Sequence, residues 1–178
     1  VKAIEHVNAK NVIIFPNNKN IFIAAQSATE VVDVNAAVVE TRTVPQGFRS
    51  LLAFAPNQSI EANVEAMTVS LSDVTSGSVT LAVRDTTIDG LEIHENDILG
   101  MVDGKILVST PDMDQALLDT FEKMIDEDSE IVMIYVGEEG NQEQAQAIAE
   151  KLEEIHEDIE VEIFQGDQPV YPYIFSVE

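Results

Sequence analysis

The chain has 178 residues, 45% of them apolar, with 33 acidic residues against 9 basic ones and a formal net charge of −24. That length holds one domain or two small lobes with a real core, and the apolar share excludes intrinsic disorder. The absence of cysteine excludes a disulfide scaffold and fits a reducing, cytoplasmic setting; the short apolar runs exclude a membrane-spanning helix, and so negative a field opposes nucleic acid and anionic membrane.

The acidity is unevenly placed. Residues 1–80 carry 7 acidic and 5 basic residues, whereas residues 81–178 carry 26 and 4, a net of −22. Such a surface either keeps the protein solvated or steers a basic protein partner towards it. Val1 is not an initiator methionine, so the sequence reads as a fragment or a processed product, with no signal peptide before the first strand.

Residues 1–10 read as the tail of a helix, with Ile4 and Val7 as its apolar positions. Val12-Ile13-Ile14-Phe15 predicts a fully buried strand, because the run is apolar and rich in β-branched residues. Pro16 stops it, and Asn17-Asn18 supplies a turn and a helix N-cap. Ile21, Ala24, Ala25, Ala28 and Val32 then keep a helical period. No charge falls between Lys19 and Glu30, so this helix is expected to be covered on more than one side. Ala36–Thr41 is a second strand, and Arg42 to Gly47 has Pro and Gly placed as in a turn. Phe48, Leu51, Leu52 and Ala55 mark a short helix that Pro56 ends. Ser59 caps the next one, with Ile60, Val64, Met67 and Leu71 as its stripe. This βαβα order predicts a parallel sheet, whose strands gather ligands and partners at their carboxyl ends.

Ser76-Gly77 marks a change of lobe, giving a first α/β lobe over 1–76 and an acidic second lobe over 77–178. Val79–Val83 predicts a strand that runs into a polar loop from Arg84 to Gly90. Ile98–Val102 and Lys105–Ser109 flank Asp103-Gly104, so residues 98–109 form a hairpin. Thr110 is expected to cap a helix with Pro111 at its first position and Met113, Leu117, Phe121 and Met124 as its stripe. Ile131–Val136 reads as a central strand, and 141–156 as a helix presenting Ala145, Ile148, Leu152 and Ile155. Ile159–Phe164 is the next strand. Tyr171–Val177 closes the chain as an expected edge strand, because of Pro172.

No Gly-rich dinucleotide turn, phosphate-cradling loop or nucleophile elbow occurs, so no residue is given a catalytic role. His6, His94 and His156 have no ligand spacing, and no metal site is expected. Three polar loops remain as candidate contacts for a partner or ligand. Asn17, Asn18 and Lys19 stand at a helix start, where Lys19 opposes the helix dipole by ~0.3–1 kcal/mol. An anion bridging Lys19 and the helix N–H groups would offset that; the plainer reading is an N-cap beside an exposed lysine. Arg42 and Gln46 follow the second strand and so share an edge with Asn17, unless they simply form a turn. Arg84, Asp85 and Asp89 either hold a cation between the two carboxylates or make Asx and Thr turns.

Several segments in order, PNNKNI (16–21), TVPQG (43–47), LLAF (51–54), RDTTIDG (84–90), DEDSEI (126–131) and QPVYPYIFSVE (168–178), carry a family resemblance that runs nearly end to end. The sequence resembles the C-terminal region of the ATP-dependent fatty acid kinase subunit of Gram-positive bacteria, a dihydroxyacetone-kinase-like family. The resemblance implies a two-lobed DegV-like (EDD-type) α/β fold, with a parallel βαβ sheet in the first lobe and a hairpin inserted in the second. It implies that ATP and magnesium belong to an N-terminal kinase domain and further catalytic residues to a middle domain. Neither lies in this stretch, so no cofactor is expected here and none of those residues is carried over. The partners it implies are the rest of the kinase chain and a separate fatty-acid-binding DegV-family subunit, whose bound acyl chain is phosphorylated. The family's sequence also continues upstream of Val1, so the first lobe is expected to lack a strand. Two other functions stay open: a lipid-binding domain in its own right, and a small-molecule enzyme working across the cleft between lobes. Against the first, the chain has no Gly-rich acid-binding signature, and its closing loop reads QGDQPVYPY.

Overall fold

Apolar stretches punctuated by Pro, Asn and Gly give ten β-strands and six α-helices in the computed structural model, which describes all 178 residues. The chain divides into two compact units, Val1–Val74 and Thr75–Glu178. No helix is long and apolar enough to cross a membrane.

The first unit runs α1 (Lys2–Val7), β1 (Asn11–Ile14), a 3-10 turn (Lys19–Ile21), α2 (Phe22–Glu30), β2 (Asn35–Val38), α3 (Val44–Leu52) and α4 (Ile60–Val69). β1 and β2 pair in parallel, Asn11 opposite Asn35 through Ile14 opposite Val38, and α2 is the crossover that a parallel pair requires. Two strands make up the whole sheet. β1 is not the fully buried strand its composition predicts, since only Val12 is buried. A parallel strand is enclosed when layers cover both its faces, and this sheet is too narrow to supply them. The expectation that α2 is covered on several sides also fails. The helix has no buried residue, and Ile23 is 79% exposed.

Arg42 to Gly47 is not a turn. Thr43 caps α3, its hydroxyl accepting the Gln46 N–H at 3.3 Å. Pro45 falls in the first helical turn, where its missing N–H costs nothing. The helix thus begins at Val44 rather than at Phe48, and ends at Leu52, before Pro56. Ser59 caps α4 as the sequence predicts, accepting the Ala62 N–H at 3.2 Å. The buried position on that helix belongs to Asn63 rather than Val64. The Asn63 amide accepts from the Ala55 N–H at 2.7 Å and donates to the carbonyls of Ala55 at 3.0 Å and Ser59 at 3.1 Å. A buried polar group is tolerated when it is satisfied in this way.

The second unit opens with β3 (Thr75–Leu81), so Ser76-Gly77, where the sequence suggests the change of lobe, lies inside the first strand of that unit. It continues with β4 (Thr86–Ile88), β5 (Leu91–Ile93), β6 (Ile98–Val102), β7 (Lys105–Thr110), α5 (Met113–Glu122), β8 (Ile131–Val136), α6 (Gln142–Ile155), β9 (Glu160–Gln165) and β10 (Tyr173–Val177). Six of these strands form one sheet in the order β7-β6-β3-β10-β8-β9. Only β8 and β9 pair in parallel, across α6. The hairpin at 98–109 supplies one margin of this sheet, and Asp103 (φ 48°) with Gly104 (φ 81°) makes its turn as predicted.

The core joins Leu117 and Phe121 of α5 and Ile148 and Leu152 of α6 to Val79, Val132, Ile134 and Phe175 of the sheet. The Phe121 and Phe175 rings meet at 4.6 Å. Gly77 makes room for them: a Cβ there would come within 2.6 Å of the Phe175 ring and strike Met124. Ile155 drops off the α6 stripe, 66% exposed, and Ala149 takes a buried place on it.

Two further expectations are corrected in this unit. β10 is an interior strand, hydrogen-bonded to β3 and to β8, rather than an edge. Pro172 stands just before the first paired residue, Tyr173, and so removes no donor from the ladder. The cap of α5 is Asp112, whose carboxylate accepts the Gln115 N–H at 2.8 Å, while Thr110 still belongs to β7.

Candidate functional site

The parallel pairing of β1 and β2 brings the segments that leave them side by side. Asn17 adopts a left-handed conformation (φ 55°), which an asparagine accepts more readily than most side chains. Thr41, fully buried, meets it after β2. The Asn17 N–H donates to Thr41 Oγ1 at 3.0 Å, and the Thr41 hydroxyl donates to Asn17 Oδ1 at 2.8 Å. Gly47 in α3 completes the lock, because a Cβ there would lie 2.6 Å from Asn17 Oδ1. Next to it, the Arg42 N–H donates to Gln46 Oε1 at 2.8 Å while the Gln46 N–H bonds Thr43. That exchange is a capping box displaced by one residue. Asn18 caps the short turn that follows, accepting the Asn20 N–H at 2.9 Å.

Asn17, Arg42 and Gln46 are therefore brought together around Thr41, with Asn18 and Lys19 continuing from the same point. The side chains of Lys19 and Arg42 are exposed. Sequence reasoning missed Thr41 and Gly47, taking the first as a strand end and the second as a turn glycine. The one local signal is Thr43-x-x-Gln46, a capping pattern that turns the presumed loop into a helix start, whereas the contacts of Thr41 and Gly47 with Asn17 leave none.

Arg84, Asp85 and Asp89 belong to the second unit. Asp85 accepts the Glu95 N–H at 2.7 Å. Asp89 (φ 50°) and Gly90 (φ 87°) form the turn between β4 and β5, so the polar loop expected over 84–90 is largely a small hairpin. The two residues stand on either side of β4 (Thr86–Ile88), one before it and one in the turn after it. The local structure is that of turns, and no group of His, Asp and Glu converges as metal ligands would.

A carboxylate that the sequence did not single out is better placed. Asp97, 8% exposed, accepts the His94 N–H at 2.9 Å and the Ser109 hydroxyl at 2.9 Å, with His94 Nδ1 at 3.4 Å. The His94 backbone N–H first, and the Ser109 hydroxyl second, hold its carboxyl below the ordinary aspartate value. These partners tie the start of β6 to the end of β7, which makes Asp97 a fastening rather than a reactive group.

The first unit also holds a cavity of ≈ 290 Å³ between β1 and the helices α3 and α4. Ile13, Phe15, Leu51, Phe54, Ile60 and Met67 are its apolar lining, with Asn11, Gln58 and Asn63 as polar members. No lysine, arginine or histidine lines it, so it suits apolar groups and offers a carboxylate no counter-charge.

The FakA-like C-terminal family of fatty acid kinase matches residues 1–178. Protein YloV of Bacillus subtilis is 46% identical over 178 residues, covering 100% of this chain and 32% of that protein. An uncharacterized protein of Staphylococcus aureus is 40% identical, again over 100% of this chain and 32% of its own. The chain thus spans about a third of the length of these curated relatives. Among solved structures, the Streptococcus pneumoniae Fatty Acid Kinase (Fak) B3 protein loaded with linoleic acid superposes with a TM-score of 0.68 at 13% identity, over 99% of this chain and 74% of that one. A DegV family protein from Ruminococcus gnavus gives 0.64 at 14% identity, over 99% and 74%. The dihydroxyacetone kinase from C. freundii gives 0.58 at 12% identity, over 99% and 40%. At such identities these likenesses establish the fold alone: the chain has the α/β fold of DegV proteins and dihydroxyacetone kinase.

Proposed function

Because the chain belongs to the FakA-like C-terminal family of fatty acid kinase, we propose that it serves a longer kinase chain as a non-catalytic docking domain for a separate fatty-acid-binding protein of the DegV type. The nucleotide and magnesium chemistry is assigned to other parts of the longer chain. The observation that carries this reading is the edge built on Asn17, Thr41 and Gly47. It mounts two exposed cations, Lys19 and Arg42, on a locked scaffold in a chain of net charge −24. Locally reversed charge on a rigid mount recognises a partner's carboxylates at little entropic cost. The acidic second unit, in turn, speeds encounter with basic patches on the same partner.

Titration calorimetry of this chain tests the reading, using a DegV-type protein loaded with fatty acid in one series and ATP with magnesium in another. Saturable heat with the protein and none with the nucleotide is the expected result. Saturable ATP binding, or no heat with the protein at any salt concentration, contradicts it. A second reading, lipid binding by the chain itself, has the apolar cavity in its favour. The lack of any cation in that cavity weighs against it, and lipid mass spectrometry of the purified chain separates the two.

A further inference from the structure

The two long helices of the second unit pack on one face of its six-stranded sheet. Val79, Val132, Ile134 and Phe175 of the strands join α5 and α6 in a single core. Strand alternation turns the residues between them to the opposite face. There the register sets Phe164, Tyr135, Ile174 and Ser78 in one row across β9, β8, β10 and β3. Glu162 stands beside Met133 on the same face, one row along.

Phe164 is 42% exposed, and its ring stacks on that of Tyr135 with centroids 5.6 Å apart and 22° between the planes. Two carboxylates reach the same place. Burial is the largest cause of the raised pKa of the Tyr135 phenol, and the charges of Glu178 and Glu162 add to it. β8, β9 and β10 contain no lysine, arginine or histidine. Glutamates on an edge strand such as β9 also guard against unwanted strand pairing. That role does not call for an exposed aromatic ring stacked beside them.

An aromatic face next to carboxylates recognises a cation, because the ring attracts positive charge and the carboxylate bonds it. Arginine fits better than lysine, since its planar guanidinium stacks on a ring while forking to a carboxylate. Charge disfavours the other occupants. A fatty acid, an anionic lipid surface and a second copy at −24 would each bring like charge to this face. We propose that the open face of β8 and β9 receives an arginine side chain of a basic protein partner, its guanidinium stacked on Phe164 and bonded by the Glu162 carboxylate. The inference rests on the docking reading only for the protein that carries the arginine.

Titration of the full-length kinase with a DegV-type protein loaded with fatty acid tests it, using Phe164→Leu and Glu162→Gln as separate variants. Both side chains are exposed, so both variants should melt like the wild type. Leucine keeps an apolar surface and glutamine keeps the shape, so only the ring face and the charge are removed. The expected result is a loss of affinity of about fivefold or more in each, while Phe164→Tyr, which keeps the ring, binds like the wild type. Wild-type affinity in both variants overturns the proposal, and leaves the docking reading standing if Lys19→Glu with Arg42→Glu still weakens binding. A loss confined to one variant also overturns it, since the ring alone means apolar contact and the carboxylate alone means long-range steering. No binding by the wild type overturns both readings. Self-association that the two variants abolish assigns the face to a second copy, and competition by added oleate assigns it to lipid; either overturns the proposal.

Discussion

Thr41 is completely buried, yet its hydroxyl uses both its donor and its acceptor on Asn17. Thr41→Val keeps the shape and strands the Asn17 N–H, so chemical denaturation should show a loss of ~1–3 kcal/mol, with Thr41→Ser recovering most of it. Equal stability of the valine variant and the wild type would show that water satisfies Asn17 instead. Asp97 gives the matching test in pH. Its folded pKa is depressed by the His94 N–H and the Ser109 hydroxyl, so its stabilising effect is fully present above the unfolded aspartate value of about 3.9. That effect fades as pH falls through the lower folded value. Urea midpoints of wild type and Asp97→Asn should therefore differ most at neutral pH and converge in strong acid. A gap that stays constant down to the lowest pH contradicts this account. The convergence of Asn17, Arg42 and Gln46 was legible in the sequence, because two strands of one parallel sheet must end at the same edge. Thr41 and Gly47 were not, since a buried hydroxyl pair and a close approach across 24 or more residues leave no local pattern.

At the scale of elements, apolar runs and turn residues disclosed nearly every strand and helix, whereas their environments stayed hidden. α2 and β10 are instructive opposites. An uncharged helix looked enclosed and stands in the open, because burial depends on what covers a surface and not on the surface alone. A strand next to proline looked like an edge and lies in the middle of the sheet, because Pro172 precedes the ladder. Phe175 tests the core that β10 carries. It is fully buried against Phe121 at 4.6 Å, so Phe175→Ala should cost ~3–5 kcal/mol by denaturant titration. A loss below ~1 kcal/mol would contradict that packing. The starts of α3 and α5 were misplaced for different reasons: Pro45 and Gly47 read as a turn where they sit in a helix capped by Thr43, and Thr110 and Asp112 compete as caps until the backbone geometry decides between them.

For the molecule as a whole, charge divides as the fold does. The unit from Val1 to Val74 carries 7 acidic and 5 basic residues, and the unit from Thr75 to Glu178 carries 26 and 4. The nearly neutral unit holds the cation-bearing edge, where a single charge is not drowned by its neighbours within a Debye length of about 8 Å. Docking at that edge is the central claim, and charge reversal in the full-length kinase tests it most directly. Lys19→Glu with Arg42→Glu alters two exposed side chains, so the melting curve should stay that of the wild type. The affinity for a loaded DegV-type partner should fall at least tenfold, and phosphorylation of its bound acyl chain should fall with it. A double variant that melts, docks and supports phosphorylation like the wild type would contradict the account.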